Sequence, residues 1–550
     1  MTNFQVIFQP GDLRVEVAEG STLMEALNKA GLAFDFPCGG RGKCGKCRVK
    51  LPQSAEAPTA TEEAVLHQDD LAAGIRLACV TRVHANLSVE LPQATLDHQI
   101  LKLGAERVCA IDPHFPELKA QPNQAPLTGM AFDIGTTTVV GYLLDLTTGQ
   151  ELAVVSTLNP QTKFGADVIS RATFADREKG GLEQLHEAII GAINQLIHEA
   201  AGKAGIQPTD IYGISIAANT CMHHLFLGLS PHSIAVAPYM PLVSEAVVKN
   251  AADLKISINP QGKIFVLPNI AGFVGADTTA VLLATELDRS SDIKLMIDIG
   301  TNGEIALGSK DKLVTCSAAA GPAFEGAQIS SGMRGALGAI DHIYFEDQFR
   351  YSVIGEGKPL GICGSALIDV IAGLLELGMI DKKGRILSPD TITNPAGAVF
   401  KDRLVPHAKA WAFVIEDGQA TSHGRPILLT QSDVRAFQLA KGAMAAGVRI
   451  LLETLGIHAN EVQEVLLAGA FGNYMDPHGA CVIGLIPAEL EDRIKMVGNS
   501  AGTGAKLALL SAQEYRRASE IAEGVQFVEL GSYPTFNRVF AESMYFKERQ

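Results

Sequence analysis

Four cysteines near the start of the chain have a spacing suited to a metal centre. Cys38, Cys44 and Cys47 lie in the run FPCGGRGKCGKC, and Cys79 follows in RLACVTRV. Open C-x4-C-x2-C spacings with a distant fourth cysteine hold 2Fe-2S clusters, and this chain has one more residue between the first two cysteines. The interspersed glycines would let backbone N–H groups approach the sulfides. The pattern therefore predicts a 2Fe-2S site.

A structural four-cysteine zinc site is the alternative for the same residues. Such sites usually combine two tight C-x2-C pairs, whereas only Cys44 and Cys47 form one here. The spacing favours the iron–sulfur interpretation.

The segments around the cysteines predict a small domain that positions them. FQVIFQ and LRVEVA alternate apolar and polar residues, as in a β-hairpin that turns at residues 10–12. Thr22 and Glu25 form a capping-box pattern that opens a short helix ending near Gly31. These signals predict a β-grasp ferredoxin-type domain over residues 1–92.

Composition limits the remaining possibilities. The chain has 550 residues and a net charge of −15, and it lacks a basic stretch that could follow a nucleic-acid backbone. The N-terminus enters a strand pattern directly, which predicts a cytoplasmic protein without a signal peptide. The apolar stretch GICGSALIDVIAGLLELGMI carries two carboxylates and predicts a buried helix rather than a membrane span. The other cysteines predict reduced core thiols: Cys109, Cys221, Cys316, Cys363 and Cys481.

Residues 93–127 predict a linker, because they contain four prolines and little periodicity. A short helix is expected around Leu96–Val108, followed by extended chain. Beyond the linker we expect a first subdomain over residues 128–205 and a large domain over residues 206–550.

An internal repeat opens this second part of the chain. Residues 129–146 read GMAFDIGTTTVVGYLLDL, and residues 294–308 read KLMIDIGTNGEIALG. Each copy is an apolar strand, an Asp-Ile-Gly-Thr turn and a second apolar strand, which indicates two similar half-domains. Such turns present backbone N–H groups and hydroxyls to phosphate oxygens. Asp133 and Asp298 at the strand ends could hold Mg²⁺ through water or orient an attacking water.

A third element, VLLAGAFGNYMDP over residues 465–477, runs from an apolar strand into Gly469 and Gly472. Small residues there would let an adenosine lie against the backbone, although a plain strand-to-helix turn would look the same. Together the three elements resemble the superfamily of acetate and sugar kinases, Hsp70 and actin. The resemblance implies an α/β fold with duplicated ribonuclease H-like halves that close on ATP, after the α+β ferredoxin domain.

The whole chain resembles one family, the ATP-dependent reductive activators of corrinoid proteins. The resemblance rests on the cysteine runs together with IAANTCMHHLFLG, NIAGFVGADTTA, CSAAAGPAFEGAQISSGMRGALGAI and LLAGAFGNYMDPHGACVIGLIP. It implies an enzyme that moves one electron from the 2Fe-2S cluster to a corrinoid protein. ATP hydrolysis with Mg²⁺ drives reduction of Co(II) to Co(I), which restores methyltransferase activity.

The resemblance also implies residue roles. Cys38, Cys44, Cys47 and Cys79 hold the cluster, and Asp133 and Asp298 are the catalytic carboxylates. The other nucleotide residues come from the three turns: Gly135, Thr136, Thr137, Gly300, Thr301, Asn302, Gly303, Glu304, Gly469 and Gly472.

Four assignments within this scheme have alternatives. Glu304 binds the nucleotide side or only faces solvent. Asp277 approaches Mg²⁺ or caps the following helix, and the cap is favoured. Ser317 or Glu325 approaches the corrinoid, or their loop packs on the nucleotide side between the lobes, which is slightly favoured. His223 and His224 are metal ligands or core residues, and the core is favoured.

The expected partners are a corrinoid protein or a cobalamin-dependent methyltransferase, and an upstream ferredoxin, flavodoxin or reductase as electron donor. The oligomeric state stays open, a homodimer included. The alternative functions are a small-molecule kinase and a redox-sensing actin-like or Hsp70-like ATPase, each with an appended ferredoxin domain. A dehydratase activator is disfavoured, because such proteins carry their cluster cysteines inside the ATPase domain.

Overall fold

The computed structural model describes most of the chain. The described residues are 2–10, 12–30, 32, 34, 36, 40, 42–43, 45–51, 57–91, 107–112, 114–115, 127–300, 302–346, 348–355, 357–472 and 474–546.

The N-terminal domain is a mixed five-stranded sheet with short helices packed on it. The strand order is β2-β1-β5-β3-β4, with β1 antiparallel to β2 and parallel to β5, which confirms the predicted β-grasp fold. The elements are β1 Asn3–Gln9, β2 Leu13–Ala18, α1 Leu23–Lys29, β3 Arg48–Lys50, α2 Ala60–Val65, α3 Gln68–Ala72, β4 Ile75–Leu77 and β5 Leu87–Glu90.

Two capping boxes order the chain around the cysteine loop. Thr22 and Glu25 exchange the expected hydrogen bonds, since each backbone N–H donates to the other side chain. Thr59 and Glu62 do the same at the start of α2. The buried Glu62 carboxylate also accepts hydrogen bonds from Leu77 N and Thr81 Oγ1, which fixes the strand that leads to the fourth cysteine.

The first lobe of the larger body spans β6 to α8. Its six-stranded sheet has the order β10-β11-β9-β6-β7-β8. The elements are β6 Thr128–Ile134, β7 Thr138–Asp145, β8 Glu151–Leu158, α4 Val168–Arg177, α5 Gly181–Ala204, β9 Ile211–Ala218, α6 Thr220–Phe226, α7 His232–Ala235, β10 Val247–Asn250, β11 Lys263–Val266 and α8 Ala276–Thr285.

The second lobe carries a six-stranded sheet of order β22-β21-β12-β13-β14-β23 and two smaller three-stranded sheets. The elements are β12 Lys294–Ile299, β13 Gly303–Ser309, β14 Lys312–Ala318, β15 Ala339–Phe345, β16 Phe349–Val353, β17 Gly361–Ile362, α9 Gly364–Glu376, α10 Pro395–Ala398, β18 Leu404–His407, β19 Ala410–Glu416, β20 Ile427–Leu429, α11 Gln431–Leu455, β21 Glu464–Ala468, α12 Gly469–Gly472, α13 Pro477–Val482, β22 Ile494–Gly498, α14 Ser500–Leu510, α15 Ala512–Gly524, β23 Gln526–Phe527 and α16 Phe536–Ser543.

The two large sheets are duplicates. Strands β11-β9-β6-β7-β8 of the first correspond in order and direction to β22-β21-β12-β13-β14 of the second. The helices that follow the corresponding strands, α8 and α14, pack together between the sheets. A Cβ at Gly504 would overlap the Ala280 backbone, so these helices approach closely. The predicted duplicated actin-like fold is confirmed.

The expected boundary after residue 205 is wrong, because it cuts through the first sheet. Strand β9 pairs with β6 along seven residue pairs, and β11 pairs with β9. The first lobe therefore continues to the end of α8 at Thr285.

Most of the predicted linker lies outside the described residues, including nearly all of the helix expected over residues 96–108. Its described end is not helical and is anchored to the larger body. Arg107 contacts the carboxylates of Glu286 and Glu514, and Asp112 forms a β-bridge with Ser511.

The apolar stretch in the second lobe forms α9, whose residues are mostly buried, as predicted. Among the described residues, no helix combines the length and the hydropathy that a membrane crossing requires.

Candidate nucleotide cleft and iron–sulfur site

A cavity of about 360 Å³ lies between the two lobes, within the size range of ligand pockets. Both Asp-Ile-Gly-Thr turns, the N-terminal turn of α8 and the β21–α12 junction line it. From the sequence-predicted set, the lining residues are Asp133, Gly135, Thr136, Thr137, Asp298, Gly300, Asn302, Glu304 and Gly469.

Each turn is closed by a backbone hydrogen bond from its glycine, to a carbonyl three residues on in the first turn and two residues on in the second. Gly135 N donates to Thr138 O, and Gly300 N donates to Asn302 O, each at 2.9 Å. Thr301 lies outside the described residues. Gly303 is buried behind the turn, where a Cβ would press on Met444.

Two asparagines that the sequence reasoning missed support these turns. Asn219 caps α6 and donates from Nδ2 to Thr136 Oγ1 at 3.0 Å. Asn499 caps α14 and donates from Nδ2 to Asp133 Oδ2 at 2.9 Å. Each therefore orders a helix and a cavity residue together. Their signal in the sequence is an apolar strand followed by Asn and a small-residue helix, in IAANT and VGNSAGTG.

Four carboxylates meet at the cavity. Burial, reinforced by nearby carboxylates, raises the pKa of Asp298 to about 7. Burial also raises the pKa of Asp133 to about 7, although the hydrogen bond from Asn499 opposes this. The pKa of Asp277 rises to about 6 for the same leading cause, and the pKa of Glu304 rises well above its usual value.

This concentration of negative charge calls for a cation when the site works. Within the described part of the chain, no three His, Cys, Asp or Glu side chains come close enough to form a metal site by themselves. Mg²⁺ keeps several waters and binds through one or two carboxylates together with nucleotide phosphates. The carboxylates of the cavity fit a Mg²⁺-nucleotide complex.

Two of the open alternatives are settled by position. Asp277 is not the helix cap, because Gly275 occupies the cap position of α8 and Asp277 faces the cavity one residue into the helix. Only glycine fits at 275, since a Cβ would collide with Thr220 N. Glu304 lines the cavity and does not simply face solvent, and Ser317 Oγ lies 3.4 Å from its Oε1.

The β21–α12 junction lies close to the turn that follows Asp298. Gly469 has φ +83°, and a Cβ there would collide with the Asp298 carboxylate. Gly472 ends α12 beside Leu467 and is not among the residues that line the cavity. Tyr474, half exposed at the cavity, was missed in the sequence.

The loop of residues 319–338, between β14 and β15, packs on the nucleotide side between the lobes. Phe324, Glu325 and Arg334 line the cavity, and Arg334 Nη2 lies 3.4 Å from Glu325 Oε2. Ser317 precedes this loop and contacts Glu304 instead of an outer surface. The sequence reasoning missed Arg334, which places a cation within the acidic cavity.

A buried arginine contacts the backbone of the turn that follows Asp133. The side chain of Arg171 is fully buried, its Nε donates to Gly165 O at 2.8 Å and its Nη2 donates to Thr136 O. Burial lowers the pKa of Arg171 to about 10, so the guanidinium stays charged at neutral pH. A lone arginine in the helix ISRATF carries no sequence signal for this role.

In the N-terminal domain, two of the four predicted cluster cysteines are described. Cys47 Sγ and Cys79 Sγ are buried and lie 3.2 Å apart. This separation is too long for a disulfide of about 2.05 Å and short enough for two thiolates on one metal ion, about 3.8 Å apart at tetrahedral angles. Cys38 and Cys44 lie outside the described residues.

The cysteine loop has the backbone that a cluster requires. Gly40, Gly42 and Gly45 all have positive φ, between +67° and +75°. A Cβ on Gly42 would collide with Thr61, and one on Gly45 would collide with Val65. Side chains are thus excluded where N–H groups can face the sulfides, and the residues fit a 2Fe-2S cluster.

The remaining thiols and histidines behave as core residues. Cys221, Cys316, Cys363 and Cys481 are buried, and Cys109 is half-buried, as predicted. His223 and His224 are fully buried in α6, in agreement with the favoured interpretation.

Fold and site together define a class: an ATPase of the actin-like type that carries a ferredoxin-type iron–sulfur domain on the same chain. Three family models cover these parts. Residues 6–84 match the 2Fe-2S iron-sulfur cluster binding domain, residues 128–290 match the RACo middle region, and residues 292–550 match the C-terminal domain of RACo, the ASKHA domain.

Individual relatives narrow the class further. The corrinoid activation enzyme RamQ of Eubacterium limosum is 36% identical over 97% of both chains. The [Co(II) methylated amine-specific corrinoid protein] reductase of Methanosarcina barkeri is 27% identical over 75% of this chain and 76% of its own. A solved reductive activator for corrinoid, iron-sulfur protein is 32% identical, with a TM-score of 0.70 and coverage of 99% and 98%. The chain belongs to the family of reductive activators of corrinoid proteins.

Proposed function

We propose that this protein is an ATP-dependent reductive activase that returns the cobalt of a corrinoid protein from Co(II) to Co(I). The observation that carries the proposal is the union, on one chain, of an interlobe cleft with four carboxylates and a cysteine loop fitted to a 2Fe-2S cluster. When bound, the cluster stores the single electron that the Co(II) substrate receives. Relatives similar along the whole chain carry the names of corrinoid activators, which supports the same function.

Residues of both lobes bind the nucleotide phosphates and orient the attacking water. Thr136 and Thr137 on the first turn and Asn302 on the second line the cavity from opposite lobes, where their polar groups can bind the phosphates. Asp133 and Asp298, one from each lobe, hold the waters of Mg²⁺ and orient the attacking water. A bound Mg²⁺-nucleotide would neutralise the mutual repulsion of these two carboxylates.

The remaining predicted residues have supporting roles in this scheme. Glu304 faces the Mg²⁺ side of the cavity, and Ser317 acts through Glu304. Gly469 makes room for adenosine beside Asp298, while Gly472 shapes the same turn from outside the cavity.

The proposed substrate is the corrinoid subunit of a methyltransferase system or a cobalamin-dependent methyltransferase. A low-potential ferredoxin, flavodoxin or reductase supplies the electron to the N-terminal domain. We propose a homodimer as the oligomeric state to be tested together with this function.

The deciding experiment mixes the anaerobically reduced protein with a Co(II) corrinoid protein, with and without Mg-ATP. We expect the Co(I) absorption band at the violet edge of the visible spectrum to grow only with ATP. Cys47→Ser should abolish the band, whereas Cys109→Ser, a thiol far from the loop, should not. Growth of the band without ATP would overturn the ATP dependence. Phosphorylation of a small molecule, with no Co(I) band, would overturn the proposal in favour of a kinase.

A further inference from the structure

The β14–β15 loop, residues 319–338, contacts both functional sites of the molecule. Phe324, Glu325 and Arg334 line the nucleotide cavity on one side of the loop. On the other side, residues 329–332 contact the N-terminal domain. The connection between the sites is short, since Gly332 and Arg334 are two residues apart.

The contact with the N-terminal domain is made by Lys46, which directly precedes the cluster residue Cys47. Lys46 Nζ donates to Gly332 O at 2.7 Å, to Ile329 O at 2.9 Å and to Ser330 O at 3.3 Å. An ammonium has three donors, and here three carbonyls of one loop face it. The cysteine loop is therefore held by a socket of backbone oxygens.

The socket is hydrogen-bonded to the second lobe through Ser330 and Met333. Ser330 donates from N and Oγ to Asp433 Oδ1, at 2.6 and 2.9 Å, at the capping box of α11. Met333 N donates to Ile362 O of β17 at 2.8 Å. Gly326 and Gly332 let the two limbs of the loop touch, because a Cβ on either would overlap the other limb. The socket residues therefore pack directly against the limb of the loop that leads to Arg334.

A second contact fixes the same interface. The Asp70 carboxylate, fully buried, forms an ion pair with Arg425 of the second lobe and lies 3.4 Å from Arg48 of its own domain. Arg425 lies just before β20, and Leu428 N of that strand donates to Ser331 Oγ of the loop. Both contacts of the N-terminal domain thus depend on the position of one loop.

At the cavity the loop carries a charge that a nucleotide would attract. Arg334 lies beside Glu325 at 3.4 Å, with both side chains about one-fifth exposed. Guanidinium groups bind phosphate oxygens as well as carboxylates, through charge-assisted and often bidentate hydrogen bonds. Nucleotide phosphates in the cavity compete with Glu325 for Arg334.

We propose that the β14–β15 loop couples nucleotide binding to the docking of the iron–sulfur domain, with Arg334 and Lys46 as its positioning residues. The nucleotide takes Arg334 from Glu325, the loop shifts, and the carbonyl socket around Lys46 opens. The N-terminal domain is then released for electron transfer. This inference rests on the proposed function for its purpose, but the coupling itself involves only this chain and a nucleotide.

The linkage is reciprocal, which makes it testable without a corrinoid protein. If nucleotide weakens docking, then weakening docking must strengthen nucleotide binding by the same factor. We expect Lys46→Met to tighten binding of Mg²⁺-adenylyl imidodiphosphate to the cluster-loaded protein by about five-fold or more, measured by calorimetry. The matched control is Lys43→Met, an exposed lysine of the same loop, which should leave the affinity unchanged. Equal affinities in the two variants would overturn the proposal.

Hydrogen–deuterium exchange measures the opposite effect, that of the nucleotide on the docking of the N-terminal domain. In the wild type, the nucleotide should speed exchange in α2 and α3 of the N-terminal domain, and Arg334→Gln should remove that effect even at nucleotide concentrations that saturate the variant. Arg425→Gln leaves the cysteine loop intact and weakens the same interface, so it replaces Lys46→Met if the Lys46→Met protein loads its cluster poorly. It should tighten nucleotide binding by the same factor. Unchanged exchange in the wild type refutes the coupling. Failure of Co(I) formation with coupling intact would instead refute only the proposed function.

Discussion

Binding of a Mg²⁺-nucleotide should release protons from Asp133 and Asp298. Burial raises the pKa of both carboxyls to about 7. At pH 7 each is then about half protonated, and the pair titrates as a coupled unit. A Mg²⁺-nucleotide favours the ionised forms, so binding should release about one proton from this pair at pH 7, more at pH 6 and less at pH 8.

The same shifts set the pH dependence of stability. Because the folded-state pKa lies above the unfolded value of 3.8 for each group, the folded state holds more protons between pH 4 and 7. The free energy of unfolding of the nucleotide-free protein should therefore fall as the pH rises through this window. Each ionised carboxylate costs on the order of 4 kcal/mol at most, because both still face the cavity. Asp298→Asn should accordingly stabilise the nucleotide-free protein at pH 8.

The assay is isothermal titration calorimetry with preformed Mg-ADP in buffers of different ionisation enthalpy. The slope of the observed enthalpy against buffer enthalpy gives the number of protons released. Asp298→Asn should reduce the release at pH 7 to about half a proton, and Glu489→Gln, an exposed carboxylate, should leave it unchanged. A slope near zero in the wild type at pH 6 would show that these carboxylates are already ionised and refute the reasoning.

Three further outcomes follow from the same structure. Cys79→Ser should remove the visible absorption of the cluster while ATP hydrolysis persists, as measured by phosphate release. Gly469→Ala should lower nucleotide affinity at least ten-fold in calorimetry, since its Cβ collides with Asp298, whereas Gly191→Ala meets open space and should not. Asn499→Ala removes a helix cap and a hydrogen bond at the cavity, so it should lower the free energy of unfolding by about 1–2 kcal/mol in denaturant titration. An unchanged midpoint would contradict that role.

The sequence predicted features that depend on local pattern. The alternation around β1 and β2, the Thr22 capping box and the two Asp-Ile-Gly-Thr turns each occupy a few consecutive residues, and each forms as expected. The duplication was visible for the same reason, because each copy repeats one strand–turn–strand unit.

The features that the sequence did not predict correctly depend on tertiary packing. Asp277 resembled a helix cap, but close contact with Thr220 places a glycine at the cap and moves the carboxylate into the cavity. Arg171 and Arg334 gain their roles from groups far along the chain, which no local pattern encodes. The boundary at residue 205 was wrong because parallel pairing of β9 with β6 needs a crossover through α4 and α5.

The anchoring of the linker limits where a released N-terminal domain can act. Arg107 binds Glu514, which also pairs with Arg517, and Arg517 in turn holds Asp288. This network fixes the chain to the larger body at Arg107, so the N-terminal domain is connected to that point through the residues between Leu91 and Arg107. Sixteen residue steps span at most about 55 Å. Leu91 of a released domain must therefore stay within that distance of Arg107, and the cluster within that distance plus the length of the domain itself. An active complex whose cobalt lies beyond this limit from Arg107 would contradict the tethered-domain arrangement.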